Sequence, residues 1–386
     1  MIRNLKWTIA VAFSAALAAC GGSDGGDTAP RLAVTSVKVF GDSLQDVGTF
    51  GFKFTVQGAD SLIFAERVSQ TYGLATGCNF FAFNGTTFIA NPTAGCKNYA
   101  IGGAVINGAG AGLTASDPRT VSVQLATAGA GGNFAAGDLL IVDGGGNDAS
   151  NLVGAYLKAA TDGGAAYVAL LGTQLTPAQV GAAVAGGQAG LAAAGKTYMQ
   201  TLADNFYTQI KTLALDKGAQ HVVLLNMPGI TNTPRFQMVL DSIAAASGGG
   251  TAGATARGQS EALFKSWIEG FNAQLATRFA GNSAVLIVDF YTAFNDQISM
   301  PAQFGLTNVK TPACPITGVG SDGLPTYTFP TCTAAALSAQ TPPAGATGGA
   351  NWWKTYGFSD SFHPTPYGHQ LVAQLISRAL AVAGWL

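Results

Sequence analysis

Val34-Thr35-Ser36-Val37-Lys38-Val39-Phe40-Gly41-Asp42-Ser43-Leu44 is the stretch on which the reading of this chain turns. A short run rich in valine and closed by a glycine turn is the pattern of a buried parallel strand. The turn sets Ser43 at the carboxyl edge of the sheet, which is where ligands bind in open α/β folds. A serine at that place also has a structural use, because its hydroxyl caps the backbone that follows. Taken alone, the stretch leaves both readings of Ser43 open.

Three more runs read as strands, at 139–142, 221–225 and 285–290. Apolar positions recur at helical spacing in 59–72, 121–127, 193–215, 260–278 and 367–383. Strands alternating with helices predict an α/β sandwich with a central parallel sheet. No repeat and no linker divides the chain after residue 33, so 34–386 reads as one domain. Two irregular stretches interrupt it, near 78–96 and 301–355, and long loops of this kind in a compact domain are commonly functional.

The rest of the composition narrows the class. With 386 residues, 48% of them apolar, the chain can bury a large core. Its 19 basic residues balance 20 acidic ones, so it offers no phosphate-backbone footprint and no nucleic-acid partner is expected. Residues 1–19 read as a signal peptide: Arg3 and Lys6 precede an apolar run that is short for a membrane span. Leu17-Ala18-Ala19-Cys20 resembles a bacterial lipobox, with Cys20 as the lipidated residue. Residues 20–33, rich in glycine, then form a flexible tether. The expectation is an exported protein anchored by lipid to a bacterial membrane, the outer membrane in particular, and facing the periplasm or the exterior. An ordinary secretory signal with an incidental Cys20 is the alternative. In such a compartment the four other cysteines predict disulfides, and the local pairings Cys78–Cys96 and Cys314–Cys332 close loops of equal size. No Cys-x-x-Cys or neighbouring histidine supports a metal site instead.

Three further motifs carry chemistry. Asp360-Ser361-Phe362-His363-Pro364 can fold so that the carboxylate holds one imidazole nitrogen while the other faces a serine hydroxyl. It can equally be a helix start in which Ser361 or His363 caps. Asp143-Gly144-Gly145-Gly146-Asn147-Asp148 follows a strand, and an asparagine amide there can donate to an oxyanion; a plain glycine turn is the alternative. Asn98-Tyr99-Ala100-Ile101-Gly102-Gly103-Ala104 has the form of a tight strand-to-loop turn. Of the other histidines, His221 reads as structural and His369 as a surface or packing residue. Asp42, Asp46, Asp143 and Asp148 form a possible metal cluster, but the serine, asparagine and histidine set accounts for the site without one, and no cofactor is expected.

In this order, the four motifs resemble the GDSL/SGNH hydrolase family, whose four blocks contribute Ser, Gly, Asn and His. The similarity includes Gly218-Ala219-Gln220-His221-Val222-Val223-Leu224-Leu225-Asn226-Met227-Pro228 and covers most of 36–383. It implies a flavodoxin-like three-layer α/β/α sandwich of about five parallel strands. It implies Ser43 as nucleophile, His363 as base, Asp360 as the third triad member, and an oxyanion hole from Ser43, Gly103 and Asn147. Gly102 is the rival to Gly103, which is preferred for its five-residue spacing from Asn98. The activity implied is hydrolysis of lipid or other hydrophobic esters. An acyltransferase working through the same acyl-serine and a non-catalytic anchored binding module are the alternatives. Trp352, Trp353, Tyr356 and Phe358 read as packing beneath the Asp-His turn, or else as the lining of an acyl pocket.

Overall fold

A computed structural model describes residues 32–386. The expected signal segment, Cys20 and nearly all of the expected 20–33 tether lie outside the described residues. The central sheet has four parallel strands, β1 (Ser36–Phe40), β2 (Asp138–Val142), β3 (His221–Leu225) and β4 (Val285–Val288), in that spatial order. A fifth segment meets the free edge of β1 at one parallel bridge. There Val39 donates to Lys97 O at 3.1 Å and accepts from Tyr99 N at 2.7 Å. Ile101 N still donates to Gly41 O at 3.1 Å, but the Gly41 amide is taken by the Gln124 side chain, so the ladder goes no further. With this edge included, the strand order is that of the flavodoxin-like fold, and its switch point lies between β1 and β2.

Strand residues alternate between two cores, as a period of two requires. Phe40, Leu140, Val142, Val222 and Leu224 pack on one side with Phe206, Trp267 and Phe271, from the helices Gly187–Leu213 and Gly250–Arg278. Val39, Ile141, Val223 and Leu225 pack on the other with Phe64 and Ile376, from the helices Phe64–Thr71 and Pro366–Val382. The result is the three-layer sandwich. The expected strand at 285–290 ends at Val288, because the Asp289 carboxylate accepts the Thr292 amide at 3.1 Å and starts the helix Phe290–Ser299. No helix among the described residues is long and apolar enough to cross a membrane.

Both irregular stretches are stapled, by Cys78–Cys96 and Cys314–Cys332. The first holds a small antiparallel hairpin, Phe81–Phe83 with Phe88–Ala90. Trp352, Trp353 and Tyr356 are buried around the second disulfide together with Val56 and Leu337, while Phe358 belongs to the sheet core. All four therefore pack.

Candidate active site

The carboxyl ends of β1 and β2 hold the first two parts of the site. Past Phe40 the chain turns sharply at Gly41, where an added Cβ would fall 1.7 Å from Asp143 Oδ1, so only glycine fits. Gln124, fully buried, accepts from the Gly41 amide at 2.8 Å and donates to its carbonyl at 3.0 Å. This clamp has no signal in the sequence, because the two residues are 83 positions apart. Asp42 shapes the turn by accepting the Leu44 amide at 3.0 Å, and its own amide donates to Asp143 at 3.2 Å. Burial pushes the Asp42 carboxyl upward. Burial, and then the neighbouring Asp42 charge, push Asp143 well above the ordinary carboxylate range.

On this turn Ser43 is 6% exposed. Its Oγ lies 2.7 Å from His363 Nε2, and His363 Nδ1 lies 2.8 Å from Asp360 Oδ2. The other Asp360 oxygen accepts the amides of Phe362 at 2.8 Å and His363 at 2.6 Å, which folds the Asp-x-x-His segment into a tight turn. Burial alone would raise the Asp360 carboxyl, but the His363 charge and these hydrogen bonds outweigh it and hold it below its ordinary value. An ionised Asp360 can only accept, so Nδ1 carries the hydrogen and Nε2 presents its lone pair to Ser43. After the turn, Thr365 caps the helix Pro366–Val382 by accepting the Gly368 amide at 3.1 Å.

The turn is fastened to the segment after Ser43. Thr55 Oγ1 donates to Pro364 O at 2.9 Å, and Ser359 Oγ, 3.1 Å from Thr55 Oγ1, accepts the Val56 amide at 3.1 Å. Both side chains are fully buried. Phe54 is thereby fixed with its ring centroid 5.2 Å from that of His363; Phe329 and Phe362 stand at 5.6 and 5.4 Å. These three rings, and not the tryptophans, are the aromatic groups of the site.

Gly102 and Gly103 differ in what their amides meet. The Gly102 amide donates to Asp46 Oδ2 at 2.8 Å and is occupied. Among the described residues the Gly103 amide has no acceptor; the residue is exposed, at φ +80°, with open space where a Cβ would stand. The Ser43 amide also has no acceptor among the described residues. Asn147 opens the helix Gly146–Asp162, and its Nδ2 donates to Ala104 O at 2.9 Å, which ties it beside Gly103 and leaves its second N–H free. Asn147 stands in the first turn of that helix, an end that favours negative charge.

The remaining carboxylates are occupied by backbone. Asp46 accepts the amides of Gly48, Thr49 and Gly102. Asp148 accepts those of Ile106 and Asn107, each at 2.9 Å, and burial pushes its carboxyl up to about 6. His221 starts β3 against the edge of Trp385, at 5.0 Å. His369 is fully buried beside Phe64, with no partner for either nitrogen among the described residues, so it is a packing residue and not a surface one.

Among curated proteins no sequence matches the chain. The family model of the GDSL-like lipase/acylhydrolases matches residues 37–376, a span that takes in all of β1 but its first residue, both stapled loops and the Asp-His turn. With most of its length matched, the chain belongs to the GDSL-like lipase/acylhydrolase family.

Proposed function

We propose that the chain is a serine hydrolase that cleaves hydrophobic carboxylic esters through an acyl-Ser43 intermediate. The observation that carries this reading is the unbroken hydrogen-bonded line from Ser43 Oγ through His363 to Asp360, with separations of 2.7 and 2.8 Å. His363 Nε2 takes the Ser43 proton as Oγ attacks the ester carbon, and Asp360 stabilises the imidazolium that results. The oxyanion forms among the Ser43 amide, the Gly103 amide and Asn147 Nδ2, donors aimed at charge that exists only in the transition state. His363 returns the proton to the departing alcohol, and water then releases the acyl group by the same route. The phenylalanines around His363 favour a hydrophobic ester. A fluorophosphonate probe tests the reading: it should label Ser43 in the wild-type protein, and an unlabelled Ser43 would return the chain to a binding role. Hydrolysis run in mixed water and alcohol measures how far the acyl-enzyme also acts as an acyltransferase.

Asn147→Ala should lower kcat by roughly 10² to 10³ with little change in KM, as for a lost oxyanion donor. A loss confined to KM would place Asn147 in ground-state binding. For location, we propose a Cys20 lipid anchor on the outer membrane. Mass spectrometry of the mature N-terminus should find a lipidated Cys20, and an unmodified Cys20 would overturn the anchor.

A further inference from the structure

The ring of Phe54 beside His363 is the first of a continuous series. Phe54 meets Phe52 at 5.3 Å and Phe50 at 6.1 Å, and Phe50 meets Phe83 at 5.6 Å and Phe88 at 5.9 Å. Phe329 closes one side against Phe54 at 5.6 Å and Phe52 at 6.1 Å. Phe50, Phe52, Phe54 and Phe88 are part-exposed, and Phe83 is 37% exposed. Isolated exposed apolar residues need no explanation, but a contiguous strip of them that ends on a catalytic base does.

Which part of an ester the strip would hold follows from proton transfer, on the reading of Ser43 and His363 given above. When the Oγ–C bond forms, the carbon carries Ser43 Oγ, the oxyanion, the acyl substituent and the alkoxy group. The alkoxy oxygen must sit at His363 Nε2, because the proton taken from Ser43 is delivered there as the C–O bond breaks and the alcohol departs. The body of the alcohol therefore runs along the walls of His363. On the Phe362 side lies a narrow cavity of about 30 Å³, lined by Met227, Ile230 and Phe294, with room for a water or two and not for a chain. On the other side Phe54 opens onto the strip. An open groove of about 660 Å³, lined by Gly103, Asn147, Asn151 and Leu170, remains for the acyl substituent.

We propose that the strip Phe50-Phe52-Phe54-Phe83-Phe88 is the alcohol subsite, selecting esters whose alcohol is a hydrophobic alkyl or aryl group. The test separates the two halves of the reaction, since the alcohol has left before deacylation begins. In the wild-type protein, kcat/KM for acetate esters of lengthening alcohols should rise about fourfold per methylene. Phe50→Ala and Phe83→Ala should flatten that rise, whereas stopped-flow deacylation of the shared acetyl-enzyme should keep its wild-type rate. Phe50→Leu, which keeps most of the apolar volume, should restore most of the rise, and thermal melts check that each variant is folded. Variants that leave the alcohol series intact but flatten a series of lengthening acyl groups, or that slow deacylation of long-chain acyl-enzymes, would place the acyl chain on the strip. Variants that alter neither series would mean that the strip is not a subsite. Fluorophosphonate labelling of Ser43 is independent of all of these outcomes, so failure of the hydrolase reading would be seen separately.

Discussion

Ser43→Ala should cut ester hydrolysis by on the order of 10⁶ and abolish fluorophosphonate labelling, with the fold unchanged. The loss is large because nucleophile and base act as one unit, so removing Oγ leaves His363 nothing to activate. The fold survives because the turn does not depend on that oxygen. Gly41 is clamped by Gln124, Asp42 accepts the Leu44 amide, and among the described residues the only hydrogen bond of Ser43 Oγ is to His363. One such bond is worth about 1 kcal/mol, a small shift in a thermal melt. Circular dichroism melting beside an ester assay checks both halves, and residual activity above about one part in a thousand would point to a different nucleophile.

His363→Ala should be nearly as severe for turnover, a loss on the order of 10⁴ to 10⁶. It should also destabilise the protein, since Asp360 would be left buried without its partner. His369→Leu should leave turnover intact and act on stability alone. Burial pushes the His369 ring down to about 3, from about 6.5 in the unfolded chain. Below pH 6.5 the unfolded chain takes up a proton that the folded one excludes, so this histidine's share of stability is full above that pH and is lost as the pH falls toward 3. The slope reaches about 1.4 kcal/mol per pH unit. Asp148 works in the opposite sense between 3.8 and about 6, because its carboxyl binds a proton more readily in the folded state. Denaturant melts of wild type and variant at matched pH cancel the Asp148 contribution. The variant's advantage should grow on acidification, and equal slopes would show that His369 is protonated in the folded state.

The sheet was legible in the sequence because a parallel strand buried on both faces has to be a short, nearly unbroken aliphatic run. His221–Leu225 is one, and its bounds agree to the residue. The helices were harder. Those at Pro177–Ala185 and the start of Gly187–Leu213 are rich in alanine and glycine, and Ala165–Leu171 is short and apolar throughout, so none shows an amphipathic contrast. Glycine costs a helix about 1 kcal/mol, which reads as a break. Gly195 is nonetheless needed there, because a Cβ would fall 2.3 Å from the Trp267 ring. At the site, residues that touch the reaction carry motif signals. Those that hold them in place, Gln124, Thr55 and Ser359, are ordinary polar residues whose partners are remote in sequence. Asp46 was visible only as one of four carboxylates; its bond to the Gly102 amide needed coordinates. Phe50, Phe52 and Phe54 alternate directly after the nucleophile turn, a period-two signal that could have redirected attention from the tryptophans.

The buried link between Thr55 and Ser359 joins positions 304 residues apart, and the bond from Ser43 to His363 spans 320. Ser43 therefore leaves the ribosome long before His363, and closing so large a loop is entropically costly. Until the last helix docks against Phe64–Thr71, the serine is an ordinary alcohol. On the mechanism proposed above, the chain should be chemically silent until its two ends have met.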